Sequence, residues 1–199
     1  MRFLLASASP ARLRTLRAAG VEPEVQVSGV DEDAIEAEGP VALVQALANA
    51  KAMAVARQQS GDLLLIGCDS MLEIAGQVLG KPTSAVEAVE RWQQMRGQTA
   101  LLHTGHTLLE IRDSAVCRRV ERVASTEVRF ASPSDAEIAA YVGTGEPLRV
   151  AGAFTVDGFG SWFVESIVGD HHNVVGLSLP LLRLMLAELD YSIGDLPTS

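Results

Sequence analysis

The sequence predicts a single mixed α/β domain over residues 1–199, and three observations carry that prediction. Short apolar runs, Arg2 to Ala6 and Leu63-Leu64-Leu65-Ile66, read as buried strands. Between them lie segments with helical spacing of apolar residues, opened by Ser or Pro and closed by Gly. Two long stretches, Leu101 to Ile111 and Val116 to Phe130, have strand character and meet at Asp113-Ser114, a turn pair. A chain of 199 residues can bury a substantial core, whereas two independent domains would be cramped.

Arg2 to Ala6 is followed by Ser7-Ala8-Ser9-Pro10-Ala11-Arg12. Ser9 suits an N-cap and Pro10 the first helical position, where no amide hydrogen is needed. The free amides and dipole of such a helix, with Arg12 nearby, would suit a phosphate. The plainer reading is an ordinary capped surface helix, which should run to about Ala19 and stop at Gly20. Glu24 to Ser28 alternates as a strand. Gly29 to Glu38 is acidic, with Asp31, Glu32, Asp33, Glu36 and Glu38, and reads mostly as a solvated loop.

Pro40 to Ser60 reads as a long helix closed by Gly61, with Leu43, Leu47, Lys51 and Val55 one above another. Lys51 interrupts that apolar stripe. Either its ammonium snorkels to water or it has an anionic partner. A phosphate partner would predict that Lys51→Met leaves stability level or higher. Asp62 to Cys68 is the best buried strand, and Asp69 and Ser70 are expected where it ends. A carboxylate there suits metal or general-base work, or it is simply a turn former.

Met71 to Ile74 and Gln77 to Leu79 read as hairpin arms around Ala75-Gly76, returning Gly80-Lys81-Pro82 toward Asp69. That segment is not a Walker A loop, because the glycine spacing is short and Pro82 replaces the hydroxyl. Ser84 to Glu87 is a capping box opening a helix to Met95. Arg118, Arg119, Arg122 and Arg129 read as solvated faces of the sheet arm. His103 and His106, with His171 and His172, make a poor metal set, since three-apart residues on a strand face opposite ways. A capped helix spans Ser132 to Val142, and Gly152 to Gly160 is glycine-rich without a dinucleotide fingerprint. Among Phe159, Trp162 and Phe163 the expected role is core, with stacking on a base as the alternative. A final helix covers Leu179 to Leu189, and the last few residues read as a loose end.

The formal net charge of −9 argues against a nucleic-acid polymer as partner. A small anion would need local cations and a divalent metal to screen carboxylates from phosphates. Of sixteen basic residues only Lys51 and Lys81 are lysines. Cys68 and Cys117 do not suggest a disulfide framework. The sequence shows no signal-peptide pattern and no uninterrupted apolar run long enough to span a bilayer, so no membrane partner and a cytoplasmic location are expected.

Leu4 to Arg12 is similar to the opening signature of the Maf family of nucleoside triphosphate pyrophosphatases. Further stretches line up in the same order: Val30-Asp31-Glu32, Ala48 to Ala52, Gly67 to Ser70, Gly80-Lys81-Pro82, Gly145 to Leu148, Ala151 to Phe154 and Asn173 to Leu177. Each is short, but as a set they cover nearly the whole chain. The resemblance implies an elongated twisted mixed sheet flanked by helices, two lobes and a central cleft, as in the Maf and inosine-triphosphatase folds.

The resemblance also implies a division of labour. Ser7, Ser9, Arg12 and Ser70 would bind substrate, with Arg12, Lys51 and Lys81 on the triphosphate. Glu32 and Asp69 would bind Mg²⁺ or Mn²⁺, and Asp69 would also accept a proton. Asp157 would read the base, unless Asp157-Gly158 is only a turn pair; Phe154 accompanies it in the 7-methyl-GTP branch, whereas Ser70 leans toward the pyrimidine branch. The expected reaction releases pyrophosphate from normal or modified nucleoside triphosphates, limiting misincorporation, with a link to arrest of septation. The rival is a sensor of nucleotides that does not hydrolyse them. A homodimer stays open. Ala8 and Ala11 depart from the common pattern, which carries glycine and an arginine or bulky residue there.

Overall fold

The computed structural model describes residues 1–198. The strands are β1 (Arg2–Ala6), β2 (Glu24–Val25), β3 (Leu63–Ile74), β4 (Gln77–Leu79), β5 (Thr99–Arg112), β6 (Ala115–Phe130) and β7 (Val164–Val168). The helices are α1 (Pro10–Ala18), α2 (Gly39–Ala56), α3 (Ala85–Met95), α4 (Asp135–Gly143), α5 (His171–Val175) and α6 (Leu179–Glu188). One mixed sheet has the order β2-β1-β3-β5-β6-β7, with β4 hydrogen-bonded to β3. β1 runs parallel to β2 and β3, and β4 and β7 are antiparallel to their neighbours. The mixed α/β expectation therefore holds.

The chain forms two compact units, one of Met1–Asp69, Thr104–Ala124 and the residues from Gly176 onward, the other of Ser70–His103 and Ser125–Val175. In the first unit, β1 and β3 are buried on both faces, which is why they read as unbroken apolar runs. Phe3, Leu5, Leu64, Ile66 and Cys68 pack on one face with Leu182, Met185 and Leu186 of α6. Leu4, Ala6, Leu63 and Leu65 pack on the other with Ala52, Val55 and Ala56 of α2. The second unit has its own core, in which Trp92 meets Phe130, Tyr141 and Phe163 edge-on or tilted at centroid distances of 5.5–5.6 Å.

α2 has the length and hydropathy of a membrane span, yet its Val44, Leu47, Ala48, Lys51, Ala52 and Val55 are buried within the fold. Two glycines let it lie close to the sheet. A Cβ at Gly67 would stand 2.7 Å from the Ala48 carbonyl oxygen and 2.9 Å from Ala52 Cβ, and one at Gly105 would collide with the Val44 carbonyl. The small residues of Ala48-Asn49-Ala50-Lys51-Ala52 thus have a steric purpose.

Local signals were legible. Ser9 and Pro10 open α1, Ser134 and Glu137 close a reciprocal capping box on α4, and Asp113-Ser114 turns with both φ positive, at 49° and 65°. At α3 the box is displaced: Ser84 accepts from the Glu87 amide, but Glu87 accepts from Thr83.

Two expectations are corrected. β3 does not stop at Cys68 but continues to Ile74, because its pairing passes to β4 and β5 after β1 ends at Ala6. The arginines of β6 are exposed, as expected, and they pair along the surface. Arg118 bonds Glu110, Asp190 and the Leu189 carbonyl, while Arg119, Arg122 and Arg129 face Glu121, Glu188 and Glu165. Glu110, which is buried, is held at a pKa of about 2, chiefly by Arg118 and, against the effect of burial, also by Tyr191 and Arg112. The chain end is tied as far as Thr198, which bridges Val21, while the Glu22 amide donates to the Pro197 carbonyl at 2.9 Å. Ser199 lies outside the described residues.

Gly67→Ala is expected to lower unfolding free energy by about 1–3 kcal/mol, the cost of overpacking against backbone. Urea unfolding followed by circular dichroism measures it; parental stability would show that α2 can retreat freely.

Candidate functional site

In the first unit the polar residues singled out from sequence form two groups on neighbouring strands. β1 and β3 are in register with Ala6 opposite Gly67. Residues that follow each strand position therefore start side by side: Ser7 from one, Cys68 and Asp69 from the other.

The first group is built on the entry to α1. Ser9 caps the helix by accepting from the Arg12 amide at 3.4 Å, and the Ser9 amide donates to Ser7 Oγ at 3.1 Å. Arg12 is buried; its Nη1 donates to Ser7 Oγ at 3.0 Å and its Nε to the Gly176 carbonyl at 2.7 Å. The guanidinium is therefore fixed in orientation by the structure itself. Gly176, from the Asn173 to Leu177 stretch, acts here through its carbonyl, a role that side-chain reading did not find.

The second group centres on Lys51. Alternation along β3 puts Gly67 and Asp69 on the face that carries α2. Gly67 admits the helix, and two residues later Asp69 Oδ1 accepts from Lys51 Nζ at 2.5 Å. Glu32, on the 3₁₀ turn Glu32–Ala34, reaches the same ammonium with Oε1 at 2.8 Å. The side chains of Lys51 and Asp69 are 11% and 10% exposed, and that of Glu32 is 53%. Lys51 thus does not snorkel, and its anionic partners in this structure are carboxylates.

Cys68 lies between the groups. Burial pushes its thiol up to about 12, with Asp69 adding to the rise and Arg12 and Lys51 opposing it. It is a packing residue and not a nucleophile.

In the second unit, Lys81 is exposed on the loop after β4. Register sets Leu79 opposite Leu72, so Lys81 runs on toward the Ser70 end of β3. The Gly80 carbonyl accepts from the Gly152 amide at 3.0 Å and from Arg91 Nη1 at 2.6 Å, which joins Gly80-Lys81-Pro82 to Ala151-Gly152-Ala153. Gly152 is required there: its φ is +68°, and a Cβ would stand 2.7 Å from Leu72 Cδ2.

Asp157 is exposed, whereas Phe154 is buried edge-on against Phe130 at 4.9 Å and belongs to the core. Phe163 is likewise core, Phe159 stacks on Tyr141 at 5.8 Å, and Trp162 is 80% exposed. His103 and His106 are structural. His103 lies between Glu73 Oε2 at 2.9 Å and Ser125 Oγ at 2.7 Å, and His106 Nε2 accepts from the Ser178 amide at 2.9 Å. Among the described residues no three His, Cys, Asp or Glu side chains converge as a metal cage.

Removing the Lys51 charge would leave Asp69 buried beside Glu32 with no counter-ion. Lys51→Met is therefore expected to cost about 3 kcal/mol or more of stability, against the level or higher stability that a phosphate partner alone predicts. Chemical unfolding decides between them: a variant at or above parental stability would mean that the ion pairs contribute nothing to the fold.

The Maf-like protein family matches residues 2–189. The sequence is 56% identical over 196 residues to a nucleoside triphosphate pyrophosphatase of Streptomyces coelicolor, covering 98% of this chain and 94% of that one. It is 54% identical over 200 residues to one of Salinispora tropica (98% and 87%) and 53% identical over 193 residues to one of Thermosynechococcus vestitus (97% and 96%). Among solved structures, the Staphylococcus aureus Ham1 protein aligns over 100% of this chain and 92% of its own at 11% identity with a TM-score of 0.45, a likeness too slight to argue from.

Proposed function

The chain belongs to the Maf-like family, and we propose that it is a nucleoside triphosphate pyrophosphatase that depends on a divalent metal. The names of its relatives support the activity. The chief structural support is the convergence of Glu32 and Asp69 on one ammonium at 2.8 and 2.5 Å.

Those two carboxylates fit the metal the family implies. Their oxygens reach one small volume, and both are hard donors of the kind that Mg²⁺ and Mn²⁺ take alongside substrate phosphates. Glu32 and Asp69 would hold it, and substrate and water would complete its surroundings. The metal would screen negative charge and polarise the phosphates.

The residues of the chain do the rest in this reading. The helix entry at Ser9, with Ser7 and the pre-oriented Arg12, binds phosphate oxygens. Lys51 and Lys81 add point charges, and Ser70 a hydroxyl. Water adds to the α-phosphorus, the bridge to the β-phosphate breaks, pyrophosphate leaves, and the proton passes to Asp69. A carboxylate that also coordinates a metal is a weaker base, so those two duties of Asp69 compete.

Asp157 reads the base. Ionised, it only accepts hydrogen bonds, which favours donor-rich edges such as guanine N1–H and N2–H₂ or the cytosine amino group. Modified nucleotides with such edges, and through them a link to septation, belong to the same reading. Both cysteines are free thiols, in keeping with a cytoplasmic location.

Pyrophosphate release from normal and modified nucleoside triphosphates, with Mg²⁺ or Mn²⁺ and then EDTA, tests the reaction. Pyrophosphate and a monophosphate are the expected products, and activity undiminished in EDTA or orthophosphate as first product would sink the proposal. Asp69→Asn should lower turnover about 10²-fold or more with the fold intact. Tight nucleotide binding with no release would instead favour a sensor.

The base preference has a separate measurement. In Asp157→Gln, rates on dTTP and UTP should gain relative to CTP and 7-methyl-GTP. Parallel changes on all four would leave Asp157-Gly158 a plain turn.

A further inference from the structure

Glu146 takes no part in the chemistry above, yet its carboxylate is the most heavily hydrogen-bonded group of the second unit. Oε1 accepts from Thr155 Oγ1 at 2.5 Å, the Gly160 amide at 2.9 Å and the Tyr141 hydroxyl at 3.1 Å, and Oε2 accepts from the Phe159 amide at 2.9 Å. Burial pushes its pKa up, but the Thr155 hydroxyl, the Gly160 and Phe159 amides and Tyr141 together outweigh it and hold the carboxyl below the usual range.

The donors have a pattern. Thr155 lies on one side of Asp157, and Phe159 and Gly160 lie on the other. One carboxylate therefore clamps both ends of the loop whose apex carries Asp157. The loop lies directly on the clamp, since a Cβ at Gly158 would stand 2.6 Å from Glu146 Oε2 and one at Gly160 would collide with the Tyr141 hydroxyl. The clamp is itself referenced to the core: the Glu146 amide donates to Thr144 Oγ1 at 3.1 Å, that hydroxyl donates to the Tyr141 carbonyl at 2.7 Å, and Tyr141 is fully buried against Trp92.

We propose that Glu146 is a positioning residue for base selection, fixing the Thr155–Gly160 loop so that Asp157 can discriminate between nucleotide bases. This rests on the reading that Asp157 faces the base. Discrimination by a single acceptor needs that acceptor held in place, because an exposed aspartate on a loose loop can satisfy one base edge as well as another through water. A half-buried anion taking four donors supplies such a hold, and a loop of glycines alone would not.

Glu146→Gln keeps the size, removes the charge and turns one acceptor into a donor facing donors. Two readouts are taken on it. Amide hydrogen exchange at Phe159 and Gly160 should quicken by about tenfold or more, the equivalent of a hydrogen bond of ordinary strength, while amides of β5 exchange as in the parent. The relative kcat/KM values on CTP, GTP, UTP and dTTP should move toward equality.

Faster exchange with parental ratios would overturn the proposal, leaving Glu146 a structural brace. So would a parent that hydrolyses all four at equal rates. If Glu146→Gln does not fold, Thr155→Val and Tyr141→Phe each remove one donor and should shift the ratios in the same direction; unshifted ratios in both overturn it as well. Asp157→Asn is measured beside them: unshifted ratios there sink the Asp157 reading and the proposal with it, whereas shifted ratios there beside parental ratios in Glu146→Gln overturn the proposal alone.

Discussion

The close approach of α2 to β3 at Gly67 is the constraint on which the charged centre of the first unit depends. Without a Cβ at that position, the backbone of α2 lies over the strand with Ala48 and Ala52 in contact distance of it. Strand alternation then points Asp69 at the same helix, and helical periodicity brings Lys51 to meet it, three residues beyond Ala48. A larger residue at 67 would separate backbone from backbone, and the ion pair would be the first interaction to lengthen. The apolar packing on that face, made by Leu63, Leu65, Ala52 and Val55, fixes the distance; the charges merely occupy it.

That centre holds two carboxylates and one ammonium, an arrangement that leaves one negative charge in excess. Asp69 is nearly buried and Glu32 is half exposed, so the two are unequal. The buried one feels Lys51 with little screening, and the outer one shares its oxygens with solvent. A group of this kind is poorly suited to structural stabilisation alone, since apolar residues would fill the same space at lower desolvation cost. Its acidity in excess of its base is better matched to a cation arriving from solution, which is what the proposed metal dependence would supply.

How much of this could be read from residues alone differs by the range of the interaction. Ser9-Pro10, Ser134 with Glu137, and Asp113-Ser114 act within four residues, and each does what its chemistry suggested. The end of β3 was misplaced because a strand ends where its partners end, and β4 supplies a partner through Ile74. Lys51 was rightly suspected of having an anionic partner, but Glu32 and Asp69 come from segments nineteen residues before and eighteen after it, which no local pattern encodes. The arginines of β6 are exposed as their sequence suggests, but their partners are not legible for the same reason: Arg118 finds Asp190 across 72 residues.

Glu146 is the clearest case of a residue whose purpose is invisible until the fold is known. Two of its four donors are backbone amides, which carry no sequence signature, and they lie thirteen and fourteen residues downstream. The glycines around it are visible in the sequence, and glycine lets a backbone approach its neighbour closely. What it approaches is the protein's own carboxylate: Gly158 lacks a side chain because Glu146 fills the space where one would go. A glycine-rich stretch near a nucleotide site invites the inference that a ligand demands the room. Here the room is already taken by Glu146, so the glycines bear on any ligand only through the loop they allow to be clamped, and the residue presented at its apex is Asp157.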